Sequence, residues 1–205
     1  MASESSPPYF TANIETHSNQ PMQVEVIVDG EAITQVPSLD STHCQTWLHR
    51  WITELNPQQS PINAYEVSLR LTNDAEIQQL NSNYRQQDRP TDVLSFATLE
   101  TALPGADSVY EEQPVYLGDI IVSVETAQRQ AIQAQRSLTQ EVAWLTAHGL
   151  LHLLGWDHPD DNSLTQMLAQ QDRLLALVFI PDAGAPPLAY PLEETGSVKV
   201  SNKLS

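Results

Sequence analysis

The segment HGLLHLLGWDH, residues 148–158, sets His148, His152 and His158 at intervals of four and six, with Gly155 between the last two. An α-helix advances about 100° per residue, so side chains four apart return to the same face one turn later. His148 and His152 can therefore meet one ion from a single helix. Gly155 stands where that helix must end, because a glycine there turns left-handed without penalty and sends the chain back toward the face it left. His158 then arrives as a third imidazole from outside the helix. Three imidazoles at about 2.0–2.1 Å satisfy a zinc ion and leave a fourth position for water, which is the catalytic rather than the structural pattern.

A structural zinc site wants four protein ligands, often cysteines, and Cys44 is the only cysteine here. A single histidine on a helix is most often an ordinary packed side chain. Three of the chain's six histidines in one short block at ligand spacing form a metal site. The same spacing invites comparison with metalloproteases of the HExxHxxGxxH type, whose glutamate after the first histidine is the general base. Gly149 occupies that position, so the ligands are kept while the peptidase base is missing. The expected cofactor is one zinc ion, although imidazoles also suit nickel, copper and iron. Neutral imidazoles are required and their unperturbed pKa is about 6.5, so metal affinity should fall on acidification through that region.

The histidine block resembles the signature of the YbeY family, bacterial metal-dependent endoribonucleases that mature ribosomal RNA. Other segments are similar in order and spacing: NSNYRQQDRPTDVLSF from Asn81 to Phe96, DAEIQQLN from Asp74 and LGDIIVS from Leu117. The likeness runs from about Val24 to Leu177. Two positions depart from it, Trp156 where tyrosine is more usual and Ala97 where the strand often runs on into proline, and neither is a ligand. The resemblance implies a zinc-dependent, single-strand-specific endoribonuclease acting late in rRNA processing, at the 3′ end of 16S rRNA, and in ribosome quality control. It further implies precursor rRNA and the small ribosomal subunit as partners, with no role for DNA.

A chain of 205 residues with 40% hydrophobic content can bury one sizeable core. The reading is one domain at 21–180 between disordered tails at 1–20 and 181–205. The first twenty residues lack the basic start and apolar run of a secretory signal, and no stretch approaches the ~20 apolar residues of a membrane span. A single cysteine excludes an internal disulfide framework. These features fit a cytoplasmic protein with no membrane partner.

The periodicities predict an α+β fold, a small mixed β-sheet packed against helices, one of which carries the histidines. Gln23–Asp29 and Tyr65–Thr72 alternate as strands. Between them a helix over Ser41–Leu55 gathers Trp47, Leu48, Trp51, Ile52 and Leu55 on one face, the tryptophans as core. Asp74 is expected to cap a helix through Tyr84 with Ile77 and Leu80 inward, followed by strands at Val93–Ala97 and Leu117–Val124. A helix over Glu125–Gln135 comes next. Ser137 and Gln140 form a capping-box pattern that starts the metal-bearing helix, packed by Val142, Leu145, Leu150 and Leu153. A last helix covers Ser163–Val178. The segment Glu100–Pro114 looks like an insertion.

Hydrolysis of a phosphodiester also needs a cation for the phosphoryl oxygens the metal does not reach. Arg85, with its planar and permanently charged fork, is the candidate, and the resemblance puts the family's functional arginine at this position. Read without the family, an arginine at a helix end is a solvated, structural residue. The expected catalytic set is Arg85, His148, His152 and His158; no residue is assigned as general base, Asp157 being as well suited to orienting an imidazole. Either water or the RNA's 2′-hydroxyl can be the attacking group. The net charge of -17 runs against nucleic-acid binding, but a phosphate senses charge only within a Debye length of ~8 Å. Arg85 with Arg89 can make a local positive site, whereas Arg129 and Arg136 read as a solvated helix face. Two other function classes fit the residues: a zinc hydrolase of another ester or amide, and a ribosome assembly factor in which the metal only stabilises the fold.

Overall fold

A computed structural model of the chain describes residues 21–36, 38–98 and 113–179. The expected tails and nearly all of the Glu100–Pro114 segment lie outside the described residues. Four strands form one sheet in the order β1 (Gln23–Asp29), β2 (Ala64–Thr72), β4 (Val115–Ser123), β3 (Val93–Ala97). The first three are parallel, while β3 runs antiparallel along the edge beside β4. The helices are α1 (Ser41–Leu55), α2 (Asp74–Arg85), α3 (Val124–Gln133), α4 (Leu138–Leu153) and α5 (Asp161–Val178). The result is the expected α+β domain with a mixed sheet.

One sheet face carries the main core. Val67, Leu69 and Leu71 of β2 and Leu117, Ile120 and Val122 of β4 join the inner faces of α1, α4 and α5 in one buried cluster. Leu117 and Ile120 are three apart and yet both fully buried, which strict alternation forbids. A bulge resolves this: the β2–β4 register slips between Glu66 and Val67, opposite Gly118. Gly118 has φ 133, and a Cβ there would lie 2.1 Å from the carbonyl oxygen of Phe96, so only glycine fits. On the opposite face α2 closes a smaller cluster of Ile77, Leu94 and Ile121, flanked by Leu80 and Phe96.

Several boundaries differ from the sequence reading for local reasons. Asn73, not Asp74, caps α2 by accepting the Glu76 N–H at 2.9 Å. Asp74 instead accepts the hydroxyls of Ser123 and Thr126 and pairs with Arg129 at 2.8 Å, which joins α2 to α3. Helix α5 starts two residues early because Asp160 and Ser163 form a capping box. Arg136 is not on a solvated face: it is nearly buried and pairs with buried Glu141 at 3.1 Å. Trp47 and Trp51 stack at 6.1 Å inside the core, as expected.

Candidate metal centre

Helix α4 begins with the Ser137–Gln140 capping box and is buried from Glu141 to Leu153. A helix apolar all round belongs in the middle of a domain, and α4 packs against β3, β4, α3 and α5. It carries His148 and His152 into the interior, where they keep 1% and 3% of their exposure. Burial of this depth requires a partner for each ring nitrogen.

Nδ1 of His148 lies 3.3 Å from Oε1 of Gln171 on α5. The amide nitrogen of Gln171 donates to the carbonyl of Trp144 at 2.9 Å, which leaves Oε1 as the atom facing the ring. An oxygen acceptor there demands a proton on Nδ1, and hence none on Nε2. Nδ1 of His152 meets the carbonyl of Trp156 at 3.0 Å and the same logic applies. The two bare Nε2 atoms face each other at 3.1 Å. Two lone pairs so placed repel unless a cation lies between them, and tetrahedral ligands at zinc bond lengths are about 3.3 Å apart.

The turn after α4 supplies the third imidazole. Gly155 has φ 87; its N–H bonds the His152 carbonyl at 3.0 Å, and Trp156 N–H bonds the Leu151 carbonyl at 3.0 Å, the paired bonds of a Schellman end. The carboxylate of Asp157 accepts the backbone N–H of His158 at 2.9 Å, so it holds the main chain of that residue rather than its ring. The candidate ligand atoms of His148, His152 and His158 all lie within 4.8 Å of one another, and among the described residues no cysteine or carboxylate joins them. Nε2 of His158 is buried with no hydrogen-bond partner among those residues. A buried bare nitrogen beside two others fits a metal ion.

Burial drives the pKa of His148 down to about 4, only partly offset by the Gln171 hydrogen bond. The imidazole is therefore neutral and ready to ligate well below neutral pH. For this residue burial moves the titration below the 6.5 of a solvated ring. Trp144 stacks on His148 at 5.6 Å, within 8° of parallel, and completes its packing.

Gly149 sits against the sheet. A Cβ at this position would lie 2.7 Å from Cγ2 of Ile120 and 2.9 Å from Oγ of Ser95, and that hydroxyl donates to the Gly149 carbonyl at 3.2 Å. The base position of a metalloprotease is thus closed sterically as well as chemically.

Arg85 comes from the last turn of α2 and is half-buried. Burial and repulsion from Arg89 lower its pKa, while the negative charge of Asp92 acts the other way. Asp92 is 3% exposed, accepts Val93 N–H at 2.8 Å and the Gln130 amide at 3.0 Å, and its charge also reaches His148. The Asp92 charge thus favours the charged form of both Arg85 and His148. Asp92, Ser95 and Gln171 were not singled out in the sequence. The first two lie inside the TDVLSF segment, but Gln171 is 23 residues from its partner and carries no local signal.

An α+β domain with three imidazoles converging from one buried helix and the turn behind it defines a protein that could hold one metal ion between them. The profile of the family described as Endoribonuclease YbeY matches residues 31–178. Endoribonuclease YbeY of Nostoc sp. is 58% identical over 136 residues, 66% of this chain and 73% of that protein. The Cyanothece sp. protein of the same name is 53% identical over 160 residues, 77% of this chain and 94% of that protein. The chain belongs to the YbeY family.

Proposed function

We propose that this chain is a metal-dependent endoribonuclease acting on precursor ribosomal RNA, with His148, His152 and His158 as ligands of one zinc ion and Arg85 as the cation facing the phosphodiester. The observation that carries this reading is the pair of buried Nε2 atoms 3.1 Å apart, with the His158 nitrogen beside them. A metal ion held there supplies Lewis acidity toward a phosphoryl oxygen and lowers the pKa of water toward ~7. The protein supplies the rest. Gln171 and the Trp156 carbonyl hold the imidazoles in the ligating tautomer. The Arg85 fork donates to two phosphoryl oxygens at once, and Asp92 favours its charged form against the cost of burial. Gly149 leaves no carboxylate to activate water for peptide hydrolysis, which favours phosphodiester over amide substrates.

The substrate class is single-stranded precursor rRNA, including the 3′ end of 16S rRNA, met on the small ribosomal subunit in the cytoplasm. A net charge of -17 argues that the ribosome, rather than strong affinity for free RNA, selects the site. Among the described residues no helix is long and apolar enough to cross a membrane.

The test is cleavage of a labelled single-stranded rRNA-precursor fragment by metal-analysed protein, with His152→Ala and Arg85→Ala in parallel. Both variants should stop cutting, and only Arg85→Ala should retain metal. Equal cutting by all three proteins would overturn the reading.

A further inference from the structure

We propose that Tyr84, braced by Phe96, is a stacking platform for an unpaired nucleobase of the RNA strand whose phosphates meet Arg85 and Arg89. The proposal rests on the endoribonuclease reading and deepens it, by naming what would make the site prefer single strands.

The inward stripe of α2 runs through Ile77, Leu80 and Asn81, and Tyr84 is its next position. By that point the helix has reached the edge of the sheet. The Tyr84 ring meets Phe96 at 5.1 Å and 72°, an edge-to-face contact, and remains 54% exposed. Among the described residues the other large exposed hydrophobic side chains, Ile27, Ile132 and Leu177, are all aliphatic. Phe96 is half-buried and packs against the Ile77, Leu94 and Ile121 cluster, so the platform has a fixed base.

Its surroundings carry the complementary charge. Arg85 is the next residue, and Arg89 lies close enough to depress the Arg85 pKa. The turn between them is pinned: the buried Asn81 amide donates to the Arg89 carbonyl at 2.8 Å, and Arg89 N–H bonds the Gln87 carbonyl at 2.9 Å. Strand β3 carries the two features on opposite faces: Phe96 packs on the α2 side, while its neighbour Ser95 donates to the carbonyl next to His148 on the α4 side. An exposed aromatic ring one residue from Arg85 and five from Arg89 brings together the two chemistries that hold single-stranded nucleic acid, base on ring and phosphate on cation. A paired base has no free face to offer, so the platform discriminates against duplex.

The experiment uses zinc-loaded full-length protein cutting a labelled single-stranded RNA, with two unlabelled competitors of equal length: an ordinary strand and an abasic strand with the same sugar-phosphate backbone. Wild type should be inhibited about tenfold better by the strand with bases. Tyr84→Leu keeps an apolar contact with Phe96 and should make the two competitors equal, with metal content unchanged. Tyr84→Trp should preserve or enlarge the preference. An unchanged preference in Tyr84→Leu overturns the platform, and so does loss of preference in Tyr84→Trp if the leucine variant fails to fold. Absence of any cutting by wild type instead overturns the endoribonuclease reading itself.

Discussion

Gln171 holds His148 by a 3.3 Å contact to Nδ1 while its own amide is tied to the Trp144 carbonyl one turn before that histidine. Helix α5 therefore sets the tautomer of a candidate ligand on α4. Gln171→Leu removes the acceptor, frees the ring to protonate at Nε2 and should weaken zinc binding about 10- to 100-fold. Gln171→Glu places a carboxylate on the same nitrogen and should restore or raise affinity. Competition with a chelator measures both, and wild-type affinity in Gln171→Leu would contradict the assignment.

Gly149→Ala sets two effects against each other. Alanine gains about 1 kcal/mol of helix propensity over glycine. The new methyl, however, would lie 2.7 Å from a branch carbon of fully buried Ile120 and 2.9 Å from the Ser95 hydroxyl. Ser95 can rotate only by giving up its bond to the Gly149 carbonyl, and Ile120 is fully buried, so overpacking costs about 1–3 kcal/mol. Urea unfolding should show net destabilisation, and Gly149→Glu should fail to fold rather than gain peptidase activity.

The element order, the metal helix with its capping box and the glycine turn were legible because each rests on short-range chemistry. Ser137, Gln140 and Gly155 act on residues within five positions. What stayed hidden depends on contacts between elements. The bulge at Gly118 moves Leu117 and Ile120 to one face only because β2 pairs there. Arg136 looks solvated until α4 brings buried Glu141 beside it. In the candidate site, the clustering of the three histidines was legible from their spacing and Arg85 was named only from family likeness, whereas the contacts of Gln171 and Asp92 depend on how α5 and β3 pack around α4.

The Arg136–Glu141 pair predicts a pH-dependent cost. Burial raises the Glu141 pKa to about 7 even with Arg136 beside it. Its folded pKa lies above the ordinary 4.5, so the folded state binds more protons, and its contribution to stability falls as pH rises from about 4.5 to 7. His148 runs the other way. Its folded pKa of about 4 lies below 6.5, so stability falls as pH drops through that window. The two slopes oppose each other, and Glu141→Gln should make thermal stability of metal-free protein fall more steeply on acidification than in wild type. Arg136→Met removes the guanidinium that favours the ionised form, so the Glu141 pKa should rise further and the variant should be least stable relative to wild type at alkaline pH, where wild-type Glu141 is ionised. That deficit should shrink at pH 5, where Glu141 takes up a proton.

Salt dependence tests how local the positive site is. If only Arg85 and Arg89 neutralise phosphates, about two counterions are released from a single strand, and the logarithm of affinity should fall with the logarithm of salt at a slope near -1.4. Arg129 adds little because Asp74 already holds it at 2.8 Å, and Arg136 is committed to Glu141. Arg89→Ala should lower the slope by about 0.7 and weaken binding to all single strands alike. With a net charge of -17 repelling the strand everywhere else, raising salt also screens that repulsion, so the measured slope should be shallower than the counterion figure. A slope several times steeper, measured by anisotropy from low to physiological salt, would require an extended basic surface outside this corner.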